Sequence, residues 1–181
     1  MTTNGKTVPE FWGNISVEDT PANGWQRLQV DTVDSVKSSE DYEWLGDQIQ
    51  INLRCIISEG QHAGVFANCT LRVGGSTGTT RDGRQFTIKE EDSLNTALGR
   101  VARILDVART HSYPDLDDPK ELLNPSRLQA VAESLEGSTF FGNVTTNANG
   151  FSNVGNGVTA IRSISNPPDA FASAVPDGFS S

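Results

Sequence analysis

The chain reads as a mainly β protein with one helical insert, and three observations predict it. Residues 47–73 hold two stretches, DQIQINLRCIIS and VFANCTLRV, whose apolar residues alternate on either side of the turn EGQHAG, the pattern of strands buried on one face. Residues 91–109 change period: Leu94, Leu98, Val101, Leu105 and Ala108 fall at three- and four-residue intervals, one stripe of a helix. The 17 glycines and many Asn, Ser and Thr suit short strands and turns better than a helical bundle. At 181 residues and 35% hydrophobic, the chain has material for one core with decorated ends.

Taken in order, residues 1–24 form an extended arm with Pro9 and Pro21, from which Phe11 and Trp12 are expected to tuck against the body. WQRLQVDTVDSVK is a first strand, and the break in phase between Val30 and Val33 predicts a bulge. The loop SSEDYEWLG exposes two aromatics, Tyr42 and Trp44. The second and third strands follow. With the turn centred near His62, Cys55 faces Cys69, and Ile49, Ile51, Leu53, Cys55 and Ile57 share a buried side with Val65, Ala67, Cys69, Leu71 and Val73. The opposite side carries Gln50, Asn52, Arg54, Phe66, Asn68, Thr70 and Arg72.

GGSTGTTRDG is a loop and QFTIK a short strand. Asp92 or Ser93 can cap the helix that follows. After an irregular connection with room for one helical turn, Asn124 and Pro125 read as N-cap and first position of a second helix, which Gly137 ends. STFFGNVTT and NGVTAIRSI are the last two strands, joined by the loop NANGFSNVG, and residues 166–181 are a flexible tail. Five strands with a helical insert (about 91–136) between the third and fourth is the order of an OB-fold barrel, here spanning residues 25–165. A sandwich or an open α+β sheet would share this spacing.

The net charge of −9 argues against a generally nucleic-acid-binding surface, since phosphate affinity comes from Lys and Arg. The charge is uneven, however. Arg72, Arg81, Arg84 and Lys89 cluster with only Asp82 against them, while acids gather at 40–43, 90–92 and 115–118. No stretch approaches the roughly 20 apolar residues of a membrane span, and the N-terminus lacks the apolar run of a secretory signal. A soluble intracellular protein is expected, with no membrane partner. Cys55 and Cys69 read as buried free thiols, with a cross-strand disulfide as the alternative. Two thiolates and the distant His62 and His111 show no ligand spacing for a metal. No catalytic constellation or nucleotide loop is present, so neither an enzyme nor a cofactor is expected.

An OB-fold binds oligonucleotides across strands two and three and the loops after strands one and four. Those places hold Arg54, Arg72, Phe66, Asn52 and Thr70 on the strands, Tyr42 and Trp44 in the first loop, and Phe151 with Asn147, Asn149 and Asn153 in the later one. Aromatic rings stack on bases, worth about 1–3 kcal/mol each, and Arg neutralises phosphate. Each has a plainer role too. Phe66 can cover a barrel edge, Trp44 can plug a barrel end, and Arg54 and Arg72 can pair with nearby acids. Tyr42 sits among acids that repel phosphate.

Three stretches carry a family resemblance: PANGWQRLQVDTVDSVKS; QIQINLRCIISEGQHAGVFANCTLRV, with Glu59, Gly60 and Gly64 in its turn; and LEGSTFFGNVTTNANGFSNVGNGVTAIRSI, with Ile161 and Arg162 in its last strand. Together they resemble the small phage-encoded proteins found beside recombination genes, thought to be OB-fold single-stranded DNA-binding proteins. The family usually carries more lysine after the turn glycine, where this chain has Gln61, His62 and Ala63. The resemblance implies a non-catalytic protein that coats single-stranded DNA during phage replication or recombination, in the cytoplasm of the host cell. Asp177 and Phe179 faintly resemble the partner-recruiting acidic tails of such proteins, which would bring recombination or replication proteins to this end. Self-association is left open. The rival expectation is a viral structural or protein-interaction β-domain, a virion component without nucleic-acid binding, which the acidic balance favours.

Overall fold

The computed structural model describes residues 21–107 and 118–172. Its strands are β1 (Gly24–Lys37), β2 (Ile49–Ile57), β3 (Phe66–Val73), β4 (Ser76–Thr79), β5 (Gln85–Ile88), β6 (Thr139–Thr146), β7 (Ser152–Val154) and β8 (Ile161–Ser163). The helices are α1 (Glu90–Leu105), α2 (Pro125–Glu133) and the single turn α3 (Asp169–Ala172). The main sheet runs β1-β2-β3-β7-β6, and β6 returns to pair with β1, which closes a five-stranded barrel. Closure is parallel between β3 and β7 and antiparallel elsewhere. This is an OB-fold-like barrel with a helical insert between its third and fourth strands.

β1 makes the closure possible because it serves two neighbours. Residues Gly24 to Gln29 pair with β6, and Leu28 to Lys37 pair with β2. The expected bulge is present, with register shifts at Val30/Thr32 and Val33/Val36. Bulges add the local twist that lets one strand leave a partner for another. The alternation in β2 and β3 is as expected for Ile51, Leu53, Cys55 and Ile57, buried with Ala67, Cys69, Leu71 and Val73, but Ile49 is half-buried, Gln50 is buried, and Val65, which precedes β3 at the turn, is exposed. Leu28, Phe140, Val144 and Val154 complete the interior, and α1 and α2 close it with Leu94, Val101, Ile104, Leu128 and Ala132. At Gly142 a Cβ would stand 2.7 Å from Leu28 Cδ1 and 3.1 Å from Val154, so only glycine lets β6 run this close to its neighbours.

The register differs from expectation by two. Leu53 faces Cys69 and Cys55 faces Ala67. The last ladder bonds run from Ile57 N to Val65 O (2.9 Å) and from Gly64 N to Ile57 O (2.8 Å), centring the turn on Gln61 rather than His62. A shift of two keeps every side chain on its face, because the strand period is two.

The fifth barrel strand also differs. It is Ser152–Val154, inside the segment expected to be a loop, while NGVTAIRSI contributes a short 3-10 turn and the three-residue β8, which pairs with β6 on the side away from β1 and places Ile161 in the core. GGSTGTT is not only a loop: Ser76–Thr79 pairs with β5 in a separate hairpin. The N-cap of α1 is Lys89, with no side-chain bond. Ser93 instead donates to Glu90 O and accepts from Gly74 N, both at 2.8 Å, tying the helix to the end of β3. Asn124 caps α2 as expected, its Oδ1 accepting from Ser126 N and Arg127 N.

The segment after Asn166 starts as structure: Pro168 is buried, and Phe171 of α3 packs on Phe141 with ring centroids 4.7 Å apart. The expectations for Phe11, Trp12, His111, Asp177 and Phe179 lie outside the described residues. No helix among the described residues is long and apolar enough to cross a membrane.

Cys55 and Cys69 are free and buried. Burial pushes both thiols above their ordinary range, and for Cys69 the neighbouring Arg100 partly offsets it. The native state therefore holds protons that the unfolded chain releases above about pH 8.5. Stability from this source is intact below that pH and lost as pH rises, by up to about 1.4 kcal/mol per pH unit for each thiol. Urea unfolding from pH 7.5 to 10 under reducing conditions should show the decline, and the Cys55→Ala/Cys69→Ala double variant should flatten it.

Candidate functional site

The outward side of β2 and β3 is built from directly opposed pairs: Gln50 with Arg72, Asn52 with Thr70, Arg54 with Asn68, and Ile56 with Phe66. No acid stands among them. The three ion pairs among the described residues, Arg27–Glu59, Arg84–Asp82 and Arg127–Glu121, leave Arg54 and Arg72 out. Each of the two meets an aromatic ring instead. The Arg54 guanidinium carbon lies 3.8 Å from the centroid of Phe66, its diagonal neighbour across the strands. The Arg72 carbon lies 5.2 Å from the centroid of Trp44, within cation–π range. The face thus has a cation–aromatic pair near each end.

Between the pairs runs a polar ladder. Arg72 donates from Nε (3.0 Å) and Nη2 (2.7 Å) to Gln50 Oε1. Gln50 Nε2 donates to Asn52 Oδ1 at 3.3 Å, and the Thr70 hydroxyl donates to the same oxygen at 2.9 Å. This leaves both protons of Asn52 Nδ2 outside the ladder. Burial, and next the like-charged Arg100, press the Arg72 pKa down, without removing its charge near neutral pH.

Two loops flank the face. A 3-10 turn at Glu43–Leu45 buries Leu45 and turns Trp44 outward, where it is 60% exposed and stacks with Tyr42 at 6.0 Å between centroids. Trp44 is therefore not a barrel plug; the buried residue of this turn is Leu45. Tyr42 stands with it on the surface. At the opposite end, Asn147 Oδ1 accepts from Asn149 N (2.9 Å) and Phe151 N (3.0 Å), and Asn147 N donates to Phe151 O. The side chain so braced holds Phe151 out at 63% exposure. Ala67 pairs in parallel with Ser152, so Phe66 and Phe151 each stand one residue before that level. Asn153, level with Asn68, continues the face onto β7.

Arg54, Phe66, Arg72, Trp44, Asn52 and Phe151 thus share one surface. Arg81 and Arg84 are placed otherwise, at the tip of the β4–β5 hairpin. Arg84 Nε bonds Asp82 Oδ2 at 3.1 Å, and the Thr80 hydroxyl also bonds Asp82. That pairing closes the turn on itself, because an acid two residues away is the nearest counter-charge. The hairpin is rooted beside the Trp44 loop, where Ser76 Oγ lies 3.5 Å from a Cβ position at Gly46. Arg81 is exposed at its tip.

One residue was missed. Arg100 of α1 is only 1% exposed and lies against the barrel, donating to Gly155 O (2.6 Å), Gly157 O (2.7 Å) and Cys69 Sγ (3.2 Å). Its signal in the sequence is a cation between Ala97 and Ile104, on the apolar stripe of the helix.

The molecule is thus a closed OB-type barrel with an acid-free strand face that carries two arginines and Phe66, flanked by the exposed rings of Tyr42, Trp44 and Phe151. No family model, curated protein or solved structure matches the chain. Among the described residues, no group of three or more His, Cys, Asp or Glu is placed to hold a metal.

Proposed function

We propose that the protein binds single-stranded DNA across β2 and β3 without catalysing a reaction on it, and serves phage replication or recombination in the host cytoplasm. The observation that carries this reading is the pairing of each face arginine with an exposed ring rather than a carboxylate. Such a pair offers a base a stacking surface and offers the adjoining phosphate a cation. The six residue steps from Gln50 to Ile56 span roughly 20 Å at about 3.3 Å each. That is the reach of a short site, near the low end of the 4–16 nucleotides an OB-fold covers. Arg54 covers one side of Phe66 in the free protein, so a base stacking there displaces it toward the backbone.

Fluorescence anisotropy with labelled oligo-dT tests the reading. Binding should weaken with salt, with a log–log slope on the order of −1.4 if two phosphates are neutralised. Absence of binding at micromolar protein in low salt rules it out. The net charge of −9 favours the rival reading, a protein-interaction or virion β-domain. A large closed oligomer by light scattering, with no DNA affinity, would support that rival.

A further inference from the structure

Beside the face, between β3 and α1, lies a cavity of about 40 Å³ lined by Thr70, Arg72, Thr96, Ala97, Arg100 and Asn156. We propose that this notch is an oxyanion site that takes one backbone phosphate of the strand lying on the face. The source of the phosphate rests on the nucleic-acid reading above; the oxyanion chemistry does not.

Charge carries the argument. Arg100 is buried, yet its partners are two carbonyls and a thiol, none bearing a full negative charge. Its Nε is buried with no hydrogen-bond partner. No carboxylate among the described residues lies within 4.0 Å of its guanidinium or of that of Arg72. A buried cation without a counter-charge is costly, and the cost is relieved when an anion arrives. Here two guanidiniums line one cavity with two threonines and an asparagine, groups that donate to phosphate oxygens. No acid lines it.

Size narrows the occupant. The cavity has space for about three water-sized groups, which suits phosphate oxygens and excludes a nucleotide. Arg72 reaches both the notch and Trp44. A base on Trp44 and a phosphate in the notch would therefore belong to adjoining parts of one strand.

The test uses the full chain and the variant Asn156→Asp, which brings a carboxylate to the notch from an exposed position. Thr96→Asp, from the helix side, is the second variant should the first not fold. Thermal melts compare sodium phosphate with sodium chloride at equal ionic strength, and NMR follows the arginine Nε–H signals. Phosphate should raise the wild-type Tm saturably and shift Arg72 and Arg100. The variant should melt higher without phosphate, lose the phosphate response, and bind oligo-dT at least fivefold more weakly. A wild type that responds to phosphate no more than to chloride, or a variant that keeps the full response, overturns the site whatever the DNA result. A wild type that responds to phosphate, with a variant that loses that response yet binds oligo-dT as the wild type does, overturns the backbone source and leaves free phosphate as the occupant. A wild type that takes phosphate but no oligo-dT overturns the nucleic-acid reading and that source, and supports the oxyanion site.

Discussion

The double substitution Phe66→Ala/Trp44→Ala should weaken oligo-dT binding by about 2–6 kcal/mol, since each stacked base is worth about 1–3 kcal/mol. That is at least about thirtyfold in Kd, measurable by anisotropy, and the protein should keep its fold. Both rings are exposed, Phe66 at 43% and Trp44 at 60%, and neither belongs to the barrel core. Their loss removes stacking surface at both ends of the face. It also frees Arg54 and Arg72 from the rings they now cover. The salt slope should therefore stay near the wild-type value while affinity falls, because the phosphate contacts remain. Unchanged affinity would show that bases do not lie on this face.

Phe140→Ala should be the most damaging single core substitution, costing about 3–5 kcal/mol of folding stability. Phe140 is fully buried in β6, opposite Leu28 of β1 on one side and Ser163 of β8 on the other. Its ring fills the barrel where the β1–β6 seam closes, and backbones already held in ladders cannot collapse into the space. For a domain of this size the loss lowers Tm by on the order of 10 °C. Phe141→Ala makes the control: that ring faces Phe171 of α3, outside the core cluster, and should cost clearly less. Urea denaturation of both variants measures the difference.

What could be read in the sequence followed the length of each pattern. β2 and β3 carry eight or more residues of alternation, so their faces and the placing of Arg54, Phe66 and Arg72 were legible. β7 has three residues, Ser152, Asn153 and Val154, and two are polar. It is a strand because β3 and β6 offer it ladder partners on both sides, which no local pattern announces. NGVTAIRSI has the better strand composition yet contributes only the three residues of β8 to β6. The two-residue register error arose because the turn centre depends on which glycine amide bonds back to Ile57, a choice that leaves the hydrophobic pattern unchanged. At the site, the Arg54–Phe66 contact follows from the diagonal of a known pair of strands. The Arg72–Trp44 contact depends on the 3-10 turn at Glu43–Leu45, and Arg84 was lost to an acid in its own turn. Arg100 owes its burial to β3 and the Gly155–Gly157 segment, distant in sequence, which the helix pattern alone does not announce.

The parallel closure of β3 on β7 also sets a timetable for synthesis. Ala67 and its partner Ser152 are 85 residues apart (152 − 67). At about 5–20 residues per second, a ribosome needs roughly 4–17 s to make the intervening chain. For most of that interval the β1-β2-β3 meander is open along β3 and along the first half of β1, and the backbone groups of β3 stay bare and able to pair with a neighbouring chain until β7 is made. The helical insert is made during the same wait, and α1 is tied to the end of β3 through Ser93 and Gly74. Besides covering one end of the finished barrel, the insert thus sets how long that edge waits for its last strand.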